Sequence, residues 1–332
     1  MAHADAYPHI VAELRHDALT GRLVLLAPGR AARPDTHDTP TDDEVDAGPG
    51  VADVARAPGC PFCPGHEDET PPEVARVGPG APDTPGWSVR VVPNLFPIVG
   101  GEGSGPGATG AHEVAILSPH HQHAFHQLDD EQATQVLTML RDRAHTHAEI
   151  GSSYVQVLVN HGKAAGASIA HPHAQLLALD FVPPGAGVAI ERFGATGNDL
   201  VIEDQTAALD AGTAIVVGTE VRAWCPTAAA SPFETRIAAS GAGARFETAT
   251  DGQVLGVAIV LRNVLAAMSS ALGSPAYNVV VHTSPSDDDL PYHWWVEAVP
   301  RISVVAGFEL GTGLAVNTVD PGVAARRLLE HM

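Results

Sequence analysis

The chain has 332 residues, 45% of them hydrophobic, and a formal net charge of −21 with a single lysine, Lys163. That balance argues against a phosphate-neutralising face for nucleic acid, and no apolar run approaches the roughly 18 residues a membrane-spanning helix needs. The first residues lack a basic-then-apolar signal pattern, so a cytoplasmic globular protein of one large or two ordinary domains is expected, with neither nucleic acid nor membrane as partner.

Residues 9–28 end in a strand-like run, RLVLLAP, followed by Gly29-Arg30 and Arg33-Pro34. From about Asp35 to Gly59 the chain is acidic and rich in Pro, Gly and Thr, which predicts a long loop. Cys60-Pro61-Phe62-Cys63 then sets two thiols at the spacing of one zinc knuckle. A redox dithiol would prefer a helix N-terminus, and the flanking Pro and Gly oppose a helix. The third cysteine, Cys225, reads as a small buried apolar residue, and three cysteines make a poor disulfide framework. A strand is expected around Ser88–Val92, a turn at Pro93-Asn94, and a flexible run at GGEGSGPGATG. HEVAILSP is a strand, and Leu128-Asp129-Asp130-Glu131 opens a helix. Its acidic start suits the helix dipole, and Ala133, Val136, Leu137 and Leu140 keep helical spacing through Arg143. YVQVLVNHG and HPHAQLLALD are strands.

The second half repeats the first. SPFETRIAASGAGARF matches GAHEVAILSPHHQHAF, and a helix over Leu255–Leu272 matches the one after Leu128. AYNVVVHTSP matches SYVQVLVNHG, and HWWVEAVPR stands where HPHAQLLAL stood. Strand–helix–strand–strand, twice over, predicts an α+β fold of two fused halves, 1–180 and 181–332, with mainly antiparallel sheet and flanking helices.

His171-Pro172-His173 opens the HPHAQLLAL strand. Side chains two apart on a strand share a face, so both imidazoles and Gln175 look into one site. One histidine can hold metal while the other stays free as nucleophile or base. A closed tetrahedral site on Cys60 and Cys63 needs two further ligands, and His112 and His171 are the candidates. The histidines of HHQHAFH read as solvated or helix-capping, since no acid or thiol sits with them, and Trp294 and Trp295 read as core.

LTGRLVLLAPGRAARP, CPFCPGHEDETPPEV, VRVVPNLFP, GAHEVAILSP, NHGKAAGASIAHPHAQ and AGFELGTGLAVN together resemble the galactose-1-phosphate uridylyltransferase branch of the histidine-triad superfamily, in order and spacing, over nearly the whole chain. The resemblance implies two histidine-triad-like halves. It also implies a zinc on Cys60, Cys63, His112 and His171, with His173 as the nucleophile that takes up a nucleotidyl group. Gln175 would hydrogen-bond the phosphoryl oxygens, Arg30 and Arg33 would meet phosphate, and Asn94, Asn160 and Ser168 would meet nucleotide and phosphate. Phe308 and Glu309 would meet the hexose across a homodimer interface. A neutral imidazole suits displacement at a diphosphate, and Gln175, Ser168 and an arginine fork could hold the developing charge. The expected reaction is UMP exchange between UDP-glucose and a sugar 1-phosphate. The rival is a phosphorylase or hydrolase of ADP-glucose or dinucleoside polyphosphates on the same His173, and a third reading is an inactive zinc-containing binding module. Near His282 and His293, HWW replaces the family's HWH, so a full second metal site is not expected.

Overall fold

The computed structural model describes residues 12–32, 57, 59–101, 105, 108–218, 220–285 and 291–332. Arg33, nearly all of the acidic stretch read as a loop, and part of the Gly-rich run lie outside the described residues. In chain order the strands and helices are β1 (Glu13–His16), β2 (Leu23–Leu26), β3 (Ala75–Val77), β4 (Val89–Pro93), β5 (Gly110–Ile116), α1 (Asp130–Glu149), β6 (Tyr154–His161) and β7 (His173–Leu179). They continue with α2 (Pro184–Thr196), α3 (Leu200–Asp210), β8 (Ala214–Val217), β9 (Val221–Trp224), β10 (Thr235–Ala239), α4 (Asp251–Leu272), β11 (Tyr277–His282), β12 (Trp295–Pro300), α5 (Gly307–Thr312), β13 (Ala315–Asn317) and α6 (Pro321–Leu329).

The two long helices start where their caps put them. Asp129 accepts from Gln132 N ahead of α1, and Thr250 and Gln253 form a reciprocal capping box ahead of α4. α4 has 22 residues and is apolar enough, by length and composition, to cross a bilayer, a feature the sequence reading did not anticipate. Half of that apolar stretch is buried inside the fold, where Val254, Val257, Leu261 and Leu265 join the core with Val136, Leu137 and Leu140 of α1.

Ten strands form one sheet in the order β3-β4-β5-β7-β6-β11-β12-β10-β9-β8, every neighbouring pair antiparallel. The seam between halves is the β6·β11 pair. Val114 lies opposite Gln175 as Arg236 lies opposite Glu297, and Gln175 lies opposite Leu158 as Glu297 lies opposite Val280. One constant offset thus carries β5, β6 and β7 onto β10, β11 and β12, placing Trp295 where His173 stands and His282 where Asn160 stands. The strand pleat sorts the two faces. Ala115, Ala174, Leu176, Ile237 and Val296 meet α1 and α4, while Val92, Val114 and Ile116 face the cysteine knuckle and Trp224, Ala238 and Trp295 face α2 and α3.

On that second face the two halves diverge. In the C-terminal half α2 and α3 cover the sheet, and a buried ion network fills the space. Arg236 reaches Asp17 at 2.5 Å, Asp204 at 2.9 Å, Glu234 at 3.5 Å and Glu297 at 3.8 Å. Burial and the neighbouring Glu297 push Glu234 up to about 8, which leaves fewer formal charges for one guanidinium to balance. His282 stacks flat on Trp295, at 4.5 Å between centroids and 8° between planes, and Glu297 meets its Nε2 at 3.3 Å. His293 is taken by Asp199 and by the Ala239 carbonyl. Arg236→Met is expected to cost about 3–5 kcal/mol, because it leaves buried carboxylates without their counter-ion. Urea unfolding of the variant measures this, and a loss under about 1 kcal/mol would show the network to be dispensable.

Candidate active site and metal centre

In the N-terminal half α2 reaches the second face only through Ala186, against Tyr154, Leu177 and Leu179, and a cleft of about 300 Å³ opens beside it, lined among others by Phe62, Asn94, His112, Ser168, His173 and Gln175. Its volume falls in the range of about 300–1,000 Å³ common to small-molecule sites. Leu95, Phe96 and Ile98 stand exposed at its margin. Among the described residues, which do not include Arg33, no arginine or lysine lines it; the donors there are neutral amides and the hydroxyls of Thr70 and Ser168.

β7 starts at His173 because Pro172 offers no ladder N–H, only a carbonyl that accepts from Leu117 N at 3.0 Å. The buried His173 ring packs edge-on to Phe62, and its Nδ1 lies 2.8 Å from the His171 carbonyl. A carbonyl only accepts, so Nδ1 carries the proton and Nε2, at the far end of the ring, keeps the lone pair. Burial holds the ring's pKa below the ordinary histidine value, against the opposing pull of that hydrogen bond, and so favours the neutral base.

Gln175 lines the same cleft, as the two-residue period predicts. Its Oε1 accepts from His112 Nε2 at 3.0 Å, while His112 Nδ1 accepts from Ile98 N and Asn94 Nδ2, both at 3.3 Å. The Gln175 oxygen is thereby occupied and its amide NH₂ is presented as a donor. His112 is therefore not a partner of the thiols, and its assignment as a metal ligand is corrected. It lies on the pleat of β5 that faces the cleft, opposite Leu177 and beside Gln175.

Among the described residues the group that could hold a metal is Cys60, Cys63, His121 and His171, whose ligand atoms all lie within 4.8 Å of one another. His171 Nε2 donates to the Ser118 carbonyl at 2.8 Å, leaving the Nδ1 lone pair toward Cys60 and Cys63, each Sγ 3.7 Å away. His121 Nδ1 lies 3.4 Å from Cys63 Sγ. A tetrahedral zinc with bonds of about 2.3 Å to sulfur and 2.0–2.1 Å to nitrogen sets the S···N edge near about 3.6 Å, so the cluster fits such an ion. Burial pushes the Cys60 thiol up to about 11 and the His171 imidazole down to about 4, the cost a cation would offset. His121 was passed over in the sequence because its thiol partner lies 58 residues away. The link that brings it near is the turn held by the Ser118 carbonyl on His171.

The other expected residues divide. Asn94 and Ser168 line the cleft, and Asn160 lines a recess shared with His173. Arg30 sits exposed in the 3₁₀ turn Pro28–Ala32, away from the cleft. Phe308 and Glu309 belong to α5; Glu309 lines a different cavity, with Arg22 and Ser303, and in this chain neither stands with His173.

The family described as domain of unknown function DUF4921 matches residues 110–332. An ADP-glucose phosphorylase of Arabidopsis thaliana is 32% identical over 342 residues, covering 96% of this chain and 92% of that protein. The crystal structure of an ADP-glucose phosphorylase from Arabidopsis thaliana with bound ADP-glucose superposes with a TM-score of 0.82 at 30% identity, covering 96% of this chain and 99% of that one. A galactose-1-phosphate uridylyltransferase of Streptomyces lividans is 27% identical over 157 residues, 45% of this chain and 40% of that protein.

Proposed function

Since the chain belongs to the galactose-1-phosphate uridylyltransferase family of the histidine-triad superfamily, a family of nucleotidyl-transfer enzymes, we propose that it acts as an ADP-glucose phosphorylase. The observation that carries the chemistry is the fixed His173 tautomer, with its Nε2 lone pair at a cleft of neutral donors. What favours adenylyl over uridylyl transfer is the extent of similarity: 96% of the chain against the plant phosphorylase and 45% against the uridylyltransferase. The order of the two sequence readings is thereby reversed.

In the proposed reaction His173 Nε2 attacks the phosphorus that carries adenosine. The bond to the oxygen bridging to the glucose-bearing phosphate breaks, and glucose 1-phosphate leaves. An oxygen of inorganic phosphate then attacks the same phosphorus, the P–N bond breaks, and ADP leaves with the imidazole restored. Gln175 and Ser168 would donate to the non-bridging oxygens, which carry more charge in the transition state than in the ground state. Zinc, the metal this donor set favours, would be structural: four protein ligands, Cys60, Cys63, His121 and His171, leave no open position, and it would clamp the knuckle and the turn after β5 beside the nucleophile.

The test separates donor from acceptor. ADP-glucose without phosphate should add one adenylyl mass to the His173 peptide, and added phosphate should discharge it as ADP. UDP-glucose with galactose 1-phosphate should run at least about tenfold slower in kcat/KM, a difference of ~1.4 kcal/mol. Labelling by UDP-glucose alone, discharged only by a hexose 1-phosphate, would return the assignment to uridylyl transfer.

A further inference from the structure

Asn160 and Asn278 lie opposite each other across the β6·β11 seam. Asn278 is buried, and its amide has three partners. Its Nδ2 donates to the Ala165 carbonyl at 2.9 Å and to Asn160 Oδ1 at 2.7 Å, while its Oδ1 accepts from Arg301 Nε. Two of those partners admit no exchange of roles, because a guanidinium only donates and a peptide carbonyl only accepts. The Asn278 amide therefore sits one way round, oxygen on Arg301 and nitrogen on Asn160. Asn160 must answer with its own oxygen, which turns its NH₂ away from the seam. That nitrogen has no protein partner among the described residues.

Asn160 shares its recess with His173 and with Gly162, where the chain turns at φ +79. A Cβ on Gly162 would stand 2.8 Å from Ala276 Cβ, so the backbone after Asn160 can lie this close to β11 only without a side chain. The asparagine is held from two sides, by the seam and by the loop that follows it. His112 does for Gln175 what Asn278 does for Asn160: each occupies the amide oxygen and leaves the amide nitrogen for an anion.

We propose that Arg301 and Asn278 are positioning residues, a relay that holds Asn160 as a donor to the phosphoryl group during transfer to His173. The inference rests on the nucleotidyl transfer proposed for His173. It reaches from the C-terminal half into the active site of the N-terminal half, and so gives the degenerate repeat a part in the reaction.

Asn278→Asp is nearly isosteric and only accepts. It can keep Arg301 but must lose the donor to Asn160, whose amide then turns its NH₂ inward and its oxygen toward the anion. Single-turnover adenylylation of His173 by saturating ADP-glucose should slow by about 10²-fold. In an Asn160→Ala background the same substitution should cost less than about twofold. An equal loss in both backgrounds, the signature of a merely structural role, overturns the relay. Arg301→Met, at an exposed position, serves if the aspartate variant does not fold. Its loss, about tenfold, should also vanish with Asn160→Ala, and persistence would mean that Arg301 acts without Asn160. A second measurement needs no turnover: the Asn160 side-chain amide resonances, assigned by their loss in Asn160→Ala, should shift when ADP is added to the parent protein and stay put in Asn278→Asp. Equal shifts in both, or none in the parent, overturn the relay. Labelling of His173 by UDP-glucose and not by ADP-glucose, slowed by Asn278→Asp only while Asn160 is present, sinks the phosphorylase reading and leaves the relay standing.

Discussion

His173→Ala is expected to abolish the covalent intermediate and to lower turnover by on the order of 10⁴-fold or more. The size follows from the role. A nucleophile that forms and then surrenders a P–N bond has no substitute among its neighbours: Gln175, Asn94 and Ser168 offer no basic nitrogen, and the lone pair of His112, on Nδ1, is already engaged by Ile98 N and Asn94 Nδ2. Gln175→Ala, by contrast, removes one donor to developing charge and should cost about 10²–10³. The loss at His173 should be purely chemical. Its ring makes one hydrogen bond, to the His171 carbonyl, and one edge contact, to Phe62, so melting temperature and metal content should barely change. Intact mass after incubation with ADP-glucose is the direct readout. An adenylyl adduct that survives in His173→Ala would place the nucleophile elsewhere.

Much of this was legible in the sequence because it is governed by local period and local caps. HPHAQ announces a strand that starts late, with His173 and Gln175 on one face, and β7 begins at His173 with both side chains in one cleft. Asp129 marks a helix start that the apolar spacing then continues, whereas the helix expected from Leu255 begins four residues earlier, at Asp251 behind the Thr250 cap. The internal repeat is equally local, and the sheet returns it as one constant register offset. What stayed hidden depends on long-range approach. His112 sits in a strand beside the catalytic one and so invited a role as ligand; its place along β5, opposite Leu177, puts it with Asn94, Ile98 and Gln175 instead of with the thiols. His121 lies in a histidine-rich turn whose place over the thiols depends on one hydrogen bond from His171 to Ser118. The Asn278–Asn160 contact spans the seam between halves, and no window along the chain contains both.

The metal ligands give the second large effect and the sharpest check on the corrected set. Protein purified without added metal should carry about one zinc per chain. His121→Ala or Cys60→Ser should release it and lower the melting temperature by about 10 °C or more. The estimate follows from binding energies of about 10–16 kcal/mol for structural zinc, of which loss of one ligand forfeits a part, and from about 2 °C per kcal/mol for a chain of this size. Loss of one ligand also strands the rest, since Cys60, Cys63 and His171 are buried and have the cation as their natural counter-charge. His112→Ala is the discriminating control. It touches Asn94, Ile98 and Gln175 and no sulfur, so zinc content and melting temperature should hold while the first half-reaction slows by about 10–10²-fold, as Gln175 loses the partner that turns its amide nitrogen outward. Zinc lost from His112→Ala and retained in His121→Ala would reverse the assignment, because a tetrahedron already holding Cys60, Cys63 and His171 has room for only one of the two histidines.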